Sequence, residues 1–129
     1  MNEFAHNIAF TLDQDKPDAC IINVGCNNLR NDPPHDIVNE IMDTVRLCHE
    51  KGVNEVFVAT IPFRMEKARE AEAVNDLLIA KSSINDFIII NNSNITRSHI
   101  SGDFTHLNND GLQVIANNFI RSLNDVHRD

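Results

Sequence analysis

Residues 19–28 have the sequence ACIINVGCNN, and this stretch decides the predicted fold. Its first six positions are largely apolar and favour β-structure, which is typical of a strand buried in a parallel sheet. Gly25 ends the strand, and a short polar turn follows it. Because ligands of open α/β sheets bind at the carboxyl ends of the strands, we expect this turn to contribute to a functional site.

Helical and strand patterns alternate along the rest of the chain. Four segments place apolar residues on one face at helical spacing, namely 4–12, 37–48, 66–80 and 111–123. Two further strands are predicted at 55–61 and 86–90, and a long polar stretch, 91–110, precedes the last helix. Strands that alternate with helices predict an α/β fold with three layers, α/β/α, around a parallel sheet.

Length and charge narrow the class of protein. The chain has 129 residues, which is the length of one domain, so we predict a single domain over 1–129. No apolar run is long enough for a transmembrane helix, and no signal peptide is predicted at the N-terminus. The formal net charge of -8, from 11 Lys and Arg against 19 Asp and Glu, argues against nucleic-acid binding by this chain alone.

The cysteines and histidines predict neither a disulfide framework nor a metal site. The chain has an odd number of cysteines, and none of them has the C-x-x-C spacing: they are Cys20, Cys26 and Cys48. Reduced thiols are typical of a cytoplasmic protein, and we expect that location. The 6 histidines are scattered without the spacing of a zinc motif, so we expect no metal and no cofactor.

The sequence Asp103-Phe104-Thr105-His106 lies in the polar stretch just before the last helix. A carboxylate three residues before a histidine can orient the imidazole, fix its tautomer and stabilise the imidazolium that forms when the ring takes a proton. His106 is therefore a candidate general base, with Asp103 as its partner. The alternative is an ordinary solvated histidine in a loop near a helix N-terminus.

The turn Gly25-Cys26-Asn27-Asn28 supplies a second candidate group. The side-chain amide of Asn27 could donate a hydrogen bond to an oxyanion that develops at the end of the strand. Asn27 and Asn28 also fit an ordinary turn, since Asn tolerates tight turns and caps helices. Both interpretations stay open from these residues alone.

Taken together, in this order and on this scaffold, the two segments resemble motifs of the SGNH (GDSL-type) esterases and lipases. That family carries Gly-x-Asn-Asp after a central strand and Asp-x-x-His before the last helix. The flanking residues are also similar to the family, in particular Ile61-Pro62-Phe63-Arg64 after the second strand and Asn75 in the third helix. The resemblance covers roughly residues 3–125. Within the family, the sequence is similar to the esterase domains of some animal retrotransposons and to related stand-alone proteins.

The resemblance implies a flavodoxin-like SGNH hydrolase fold and assigns roles to four residues. His106 would be the general base, Asp103 its orienting partner and Asn27 an oxyanion-hole donor. Gly25 would let the backbone approach the site closely. Asn28 stands where the family usually has Asp, which removes a charge from the turn.

The family's nucleophile, the serine of a Gly-Asp-Ser motif after the first strand, is absent from this sequence. Ser101-Gly102-Asp103 has the letters in another order and lies beside the histidine. The second family block, with its backbone-donor glycine, is absent as well, so the resemblance implies a partial domain that lacks the first two strands. Cys26 is an alternative nucleophile, although a cysteine at a strand end also fits a small buried residue.

The missing strands would leave the strand over 19–24 at an edge of the sheet. An apolar edge strand with unpaired backbone groups is a template for pairing with another chain. We therefore expect a homo-oligomer, or a second polypeptide that supplies the missing strands.

Three functions remain open. The first is an SGNH-type carboxylesterase that acts on a small-molecule ester through an acyl-enzyme, with a serine from outside this chain. The second is a catalytically inactive SGNH-like module that acts in oligomerisation or partner binding through its sheet edge. The third is an unrelated flavodoxin-like domain, which predicts no special geometry between Asp103, His106 and Asn27.

Overall fold

The computed structural model of the protein describes residues 18–23, 29, 31–103 and 106–126. Its elements, in chain order, are β1 (Ala19–Ile22), α1 (Pro34–Glu50), β2 (Glu55–Ala59), α2 (Ala68–Lys81), β3 (Ile88–Ile90), a short 3₁₀ helix (Arg97–His99) and α3 (Asn109–Val126). The order predicted from the first strand onwards is confirmed, and the element limits differ from the prediction by up to three residues. The helix predicted at 4–12 lies outside the described residues.

The three strands form one parallel sheet in the order β1-β2-β3. β2 lies in the middle, where Phe57 pairs with Ile21 on one side and with Ile88 on the other. Among the described residues β1 pairs with β2 alone, so it forms one edge of this sheet. This is the position that the resemblance implied for the strand over 19–24.

The side chains of β2 divide between two apolar cores, because successive residues of a strand point to opposite faces. Val56 and Val58 pack into the core formed with α1 and α2. Phe57 packs on the opposite face, together with Phe119 and Leu123 of α3. The α/β/α arrangement in three layers is therefore confirmed.

The ends of α1 follow from the residues found there. The helix begins at Pro34, three residues earlier than predicted, and Pro fits the first helical position because its missing N–H would have no partner there. After the helix, Gly52 has a φ of 89°, a left-handed conformation that glycine adopts without strain. The predicted helix end at Lys51-Gly52 is confirmed. No helix in the described ranges is both long and apolar enough to cross a bilayer.

A buried hydrogen-bond network joins the carboxyl ends of β2 and β3 to α3. The backbone N–H of Asn92 donates to Oγ1 of Thr60 (2.9 Å), and the Asn92 side chain donates to the Thr60 carbonyl (2.9 Å). The side chain of Asn118 on α3 donates to the side-chain oxygens of Asn92 (2.9 Å) and Asn94 (2.8 Å). Since Thr60, Asn92 and Asn118 are buried, these bonds compensate the cost of removing polar groups from water.

Gly111 lets the first turn of α3 lie directly against the loop that precedes it. A Cβ atom at this position would lie 2.7 Å from the carbonyl oxygen of His99. Asn108 caps the same helix, because its side-chain oxygen accepts a hydrogen bond from the Gly111 N–H (2.9 Å). Its side-chain amide donates to the Ser98 carbonyl (2.8 Å). The loop before α3 is therefore attached to the helix at several points.

Two of the three cysteines lie in the described ranges, and both are free thiols: Cys48 is buried in the core, and Cys20 is partly buried against it. Burial, together with the charge and hydrogen bonding of Cys20 beside it, raises the pKa of Cys48 from 9.0 to about 12. Burial also raises the pKa of Cys20, and its hydrogen bond to Cys48 offsets part of that rise. Neither thiol has the lowered pKa of an activated nucleophile.

Replacing Asn118 with Ala should lower the free energy of unfolding by about 1–3 kcal/mol, because the buried side-chain oxygen of Asn92 loses a donor. Urea denaturation followed by circular dichroism measures the difference. Asn117→Ala is the matched control: Asn117 is exposed on the same helix and accepts a surface hydrogen bond from Gln113 (3.1 Å). Its effect should stay within about 0.5 kcal/mol, and equal losses from both variants would contradict the role of the network.

The raised pKa predicts slow alkylation of Cys48 in the folded protein. With a pKa of about 12 instead of 9.0, the thiolate fraction at about pH 8 is lower by about 10³-fold, and only the thiolate reacts. Peptide-mapped iodoacetamide labelling should therefore be at least about 10²-fold slower for Cys48 in buffer than in urea. The native rate should rise with pH as the thiol ionises. Similar rates in buffer and in urea would refute this.

Candidate active site

The loop between β3 and α3 folds back on itself and closes a tight turn. Ile100 and Leu107 form an antiparallel bridge. The backbone N–H of Ser101 donates to the carbonyl of His106 (2.7 Å). Ser101 and His106 thus lie in the connection that leaves the carboxyl end of β3, where the sequence predicted a functional site.

Asp103 and His106 lie in direct contact within this turn. Nδ1 of His106 is 2.7 Å from Oδ2 of Asp103, and the backbone N–H of His106 donates to Oδ1 of the same carboxylate (3.0 Å). A carboxylate can only accept hydrogen bonds, so Nδ1 carries the proton and Nε2 carries the lone pair of the neutral ring. A general base that takes a proton at Nε2 needs this tautomer.

The dyad, as we call Asp103 and His106, is open to solvent. The side chain of His106 is 78% exposed and that of Asp103 is 52% exposed. Among the described residues, Nε2 of His106 has no hydrogen-bond partner. Because water competes for groups this exposed, the contact contributes little to stability and mainly orients the ring.

All six serines of the chain lie in the described ranges, and none of them donates a hydrogen bond to the His106 ring. Ser101, which is closest to the dyad in sequence, donates to Oδ1 of Asp103 (2.5 Å). Ser98 shares a hydrogen bond with Thr96 (2.9 Å). In the described part of the chain, His106 is therefore an oriented base that no serine hydroxyl contacts at Nε2.

The turn that contains Gly25, Cys26 and Asn27 lies outside the described residues. Asn23 is the last residue before it that the structure describes. Three statements about this turn therefore stay predictions. They are that Asn27 lies near His106, that Gly25 lets the backbone approach the site, and that Cys26 is an alternative nucleophile. Within the described ranges, no three His, Cys, Asp or Glu side chains come together as ligands for a metal ion.

A groove of about 380 Å³ lies at the carboxyl end of β2. It is lined by residues 61–64, by the first two turns of α2 and by Ile95. Asn75 of α2 holds this wall, because its side-chain oxygen accepts from the Ile61 N–H (2.7 Å) and its amide donates to the Ile61 carbonyl (2.9 Å). The resemblance drew attention to Asn75, but the groove itself was not predicted because three distant segments form it.

Two residues that hold the loop of the dyad were not predicted from the sequence. Asn108 caps α3, and a signal for it existed, since an Asn three residues before Gly111 at a helix start is typical of a cap. Ser101 donates to Asp103, and no sequence signal indicated this contact. It depends on how the loop closes.

No protein-family model and no curated protein matches the sequence. Solved structures, in contrast, match most of the chain. A carbohydrate esterase of family 3 from Talaromyces cellulolyticus is similar with a TM-score of 0.86 and 20% identity, covering 96% of this chain and 66% of that chain. A serine-to-alanine mutant of an acetyl esterase, with an acetate ion, is similar with a TM-score of 0.84 and 21% identity, covering 96% of this chain and 68% of that chain.

A protein from Desulfitobacterium hafniense that is assigned to the lipolytic G-D-S-L family is also similar, with a TM-score of 0.73 and 13% identity. The match covers 92% of this chain and 74% of that chain. The chain thus spans 66% to 74% of the length of these neighbours. At 13% to 21% identity they share its architecture, and the chain has the fold of the SGNH (GDSL-type) hydrolases over the part that it spans.

Proposed function

We propose that this chain carries the base half of the active site of an SGNH-type carboxylesterase. His106 is the general base, Asp103 orients it, and Asn27 donates to the oxyanion. The observation that carries the proposal is the 2.7 Å contact between Nδ1 of His106 and Oδ2 of Asp103, which leaves the Nε2 lone pair for a nucleophile. This contact lies on a fold whose solved relatives include esterases.

The proposed reaction proceeds through an acyl-enzyme. Nε2 of His106 takes the proton of a serine hydroxyl while the serine oxygen attacks the ester carbonyl. Asp103 stabilises the imidazolium, and Asn27 holds the negative charge of the tetrahedral intermediate. The imidazolium then returns its proton to the leaving alcohol, and the same base activates the water that releases the acid.

The serine comes from outside this chain. A homo-oligomer alone does not supply it, because no copy of this chain contains Gly-Asp-Ser. We propose that the serine arrives on a strand that pairs with β1, the edge of the described sheet. That strand belongs either to a second polypeptide or to a longer form of the same protein.

A second candidate function is supported by the exposure of the dyad. A general base acts most effectively where water is excluded, whereas the His106 side chain is 78% exposed. This favours a catalytically inactive module, and the edge position of β1 offers such a module a surface for a partner or a second copy. Sedimentation velocity over a range of concentrations tests the symmetric version, which requires a concentration-dependent dimer.

A chimera tests the proposed catalysis. The first strand, the Gly-Asp-Ser turn and the following helix of an active SGNH esterase are joined ahead of residue 1, and hydrolysis of p-nitrophenyl acetate is measured. Replacing His106 with Ala should lower kcat by at least about 10³-fold, because it removes the base. Asp103→Asn should lower kcat by about 10²- to 10⁴-fold, because it removes the carboxylate that orients the base.

The matched control is His35→Ala. His35 is also an exposed histidine with a carboxylate neighbour, since its Nε2 lies 3.2 Å from Oδ1 of Asp36 on α1. This substitution should leave the rate unchanged. A folded chimera that hydrolyses the ester equally well with and without His106 would refute the proposed role. In the chain alone, a rate that is lost in both His106→Ala and Cys26→Ala would instead assign the nucleophile to Cys26.

A further inference from the structure

One serine contacts both members of the dyad. The backbone N–H of Ser101 donates to the His106 carbonyl (2.7 Å), and its hydroxyl donates to Oδ1 of Asp103 (2.5 Å). The remaining oxygen of that carboxylate, Oδ2, accepts the proton on Nδ1 of His106. Ser101 therefore lies opposite the imidazole, on the other oxygen of the same carboxylate.

We propose that Ser101 is a positioning residue, whose hydroxyl holds the Asp103 carboxylate in the orientation that selects the Nδ1–H tautomer of His106. Its catalytic meaning rests on the proposed function, because the selected tautomer matters for hydrolysis only if Nε2 acts as a base. The hydroxyl does not serve as the nucleophile, since its proton is donated to Asp103 and not to Nε2 of His106.

The exposure of Asp103 is the reason that its carboxylate needs to be held. A side chain that is 52% exposed can rotate toward water, and water competes for both of its oxygens. Oδ1 receives donors from the Ser101 hydroxyl and from the His106 backbone N–H, and these two directions together fix the plane of the carboxylate. Hydrogen bonds from a hydroxyl to a carboxylate are short and strong, so the Ser101 hydroxyl is one of the groups that restrain the carboxylate.

The backbone of the loop does not depend on the Ser101 hydroxyl. The antiparallel bridge between Ile100 and Leu107 uses backbone groups, and so does the hydrogen bond from the Asn108 N–H to the His99 carbonyl (2.8 Å). Ser101→Ala keeps its own N–H as well. The substitution should therefore leave the turn closed and remove one restraint on the carboxylate.

Nuclear magnetic resonance of the histidine ring nitrogens tests the proposal on the chain itself, without substrate or nucleophile. Long-range ¹H–¹⁵N spectra at about pH 9, where ordinary imidazoles are neutral, distinguish the Nδ1–H from the Nε2–H tautomer. We expect His106 to be the Nδ1–H tautomer in the wild type and to lose that preference in Asp103→Asn. Ser101→Ala should shift the His106 ring resonances toward those of Asp103→Asn, and Ser101→Thr, which restores a hydroxyl, should restore them.

Ser98→Ala is the matched control, because the Ser98 hydroxyl bonds to Thr96 in the same loop and not to the dyad. It should leave the His106 ring resonances unchanged. An unchanged tautomer in Ser101→Ala, an equal shift in Ser98→Ala, or no recovery in Ser101→Thr would each overturn the proposal. Failure of the proposed function is a separate result: an inactive chimera whose His106 tautomer still responds to Ser101 refutes the esterase and retains the positioning role.

Discussion

The burial of β2 on both of its faces is the constraint on which the other elements depend. The side chains from Val56 to Ala59 are between 0% and 2% exposed, and they alternate between two apolar cores. Each buried Val or Phe contributes roughly 1.5–3 kcal/mol, so the strand is stable only with a helical layer on each side. α1 and α2 form one layer and α3 covers the opposite face. β1 and β3 satisfy the backbone groups of β2 in the plane of the sheet.

The carboxyl ends of β2 and β3 connect the core to the dyad. Thr60 follows β2 directly and bonds to Asn92, which in turn accepts from Asn118 on α3. This network fixes the position of α3 against the sheet. The close approach of Gly111 to the His99 carbonyl holds the loop between β3 and α3 against the first turn of α3. The loop thus starts and ends on fixed elements. An exposed turn can therefore present a histidine in a defined orientation without being buried itself.

The dyad combines a defined geometry with an environment that is poor for catalysis. Coulomb interactions between exposed groups are weak in water, and a solvated base gains little from its carboxylate partner. The neighbours with the same fold are longer, since the chain covers 66% to 74% of them. Under the proposed function, a strand added beside β1 supplies the serine. The segment that carries this strand would also exclude water from the dyad, so a single addition would correct both deficits.

The sequence by itself determined the order of helices and strands, and it placed Asp103 and His106 close enough along the chain to meet. These features are local: hydrophobic periodicity acts within one element, and the Asp-x-x-His spacing closes within one turn. The limits of the elements were less well determined, because α1 extends to Pro34 and α3 begins at Asn109, where caps and neighbouring loops decide the end of a helix.

Only the tertiary structure decided which partners the polar side chains find. Asn92 meets Thr60 across 32 positions and Asn118 across 26, and an Asn has the same hydrogen-bonding capacity wherever it stands. The contact between Ser101 and Asp103 depends likewise on the closure of the loop through Ile100 and Leu107. Hydrogen bonds are directional and short, so their partners are set by where distant segments come to lie, and the order of residues alone does not carry that information.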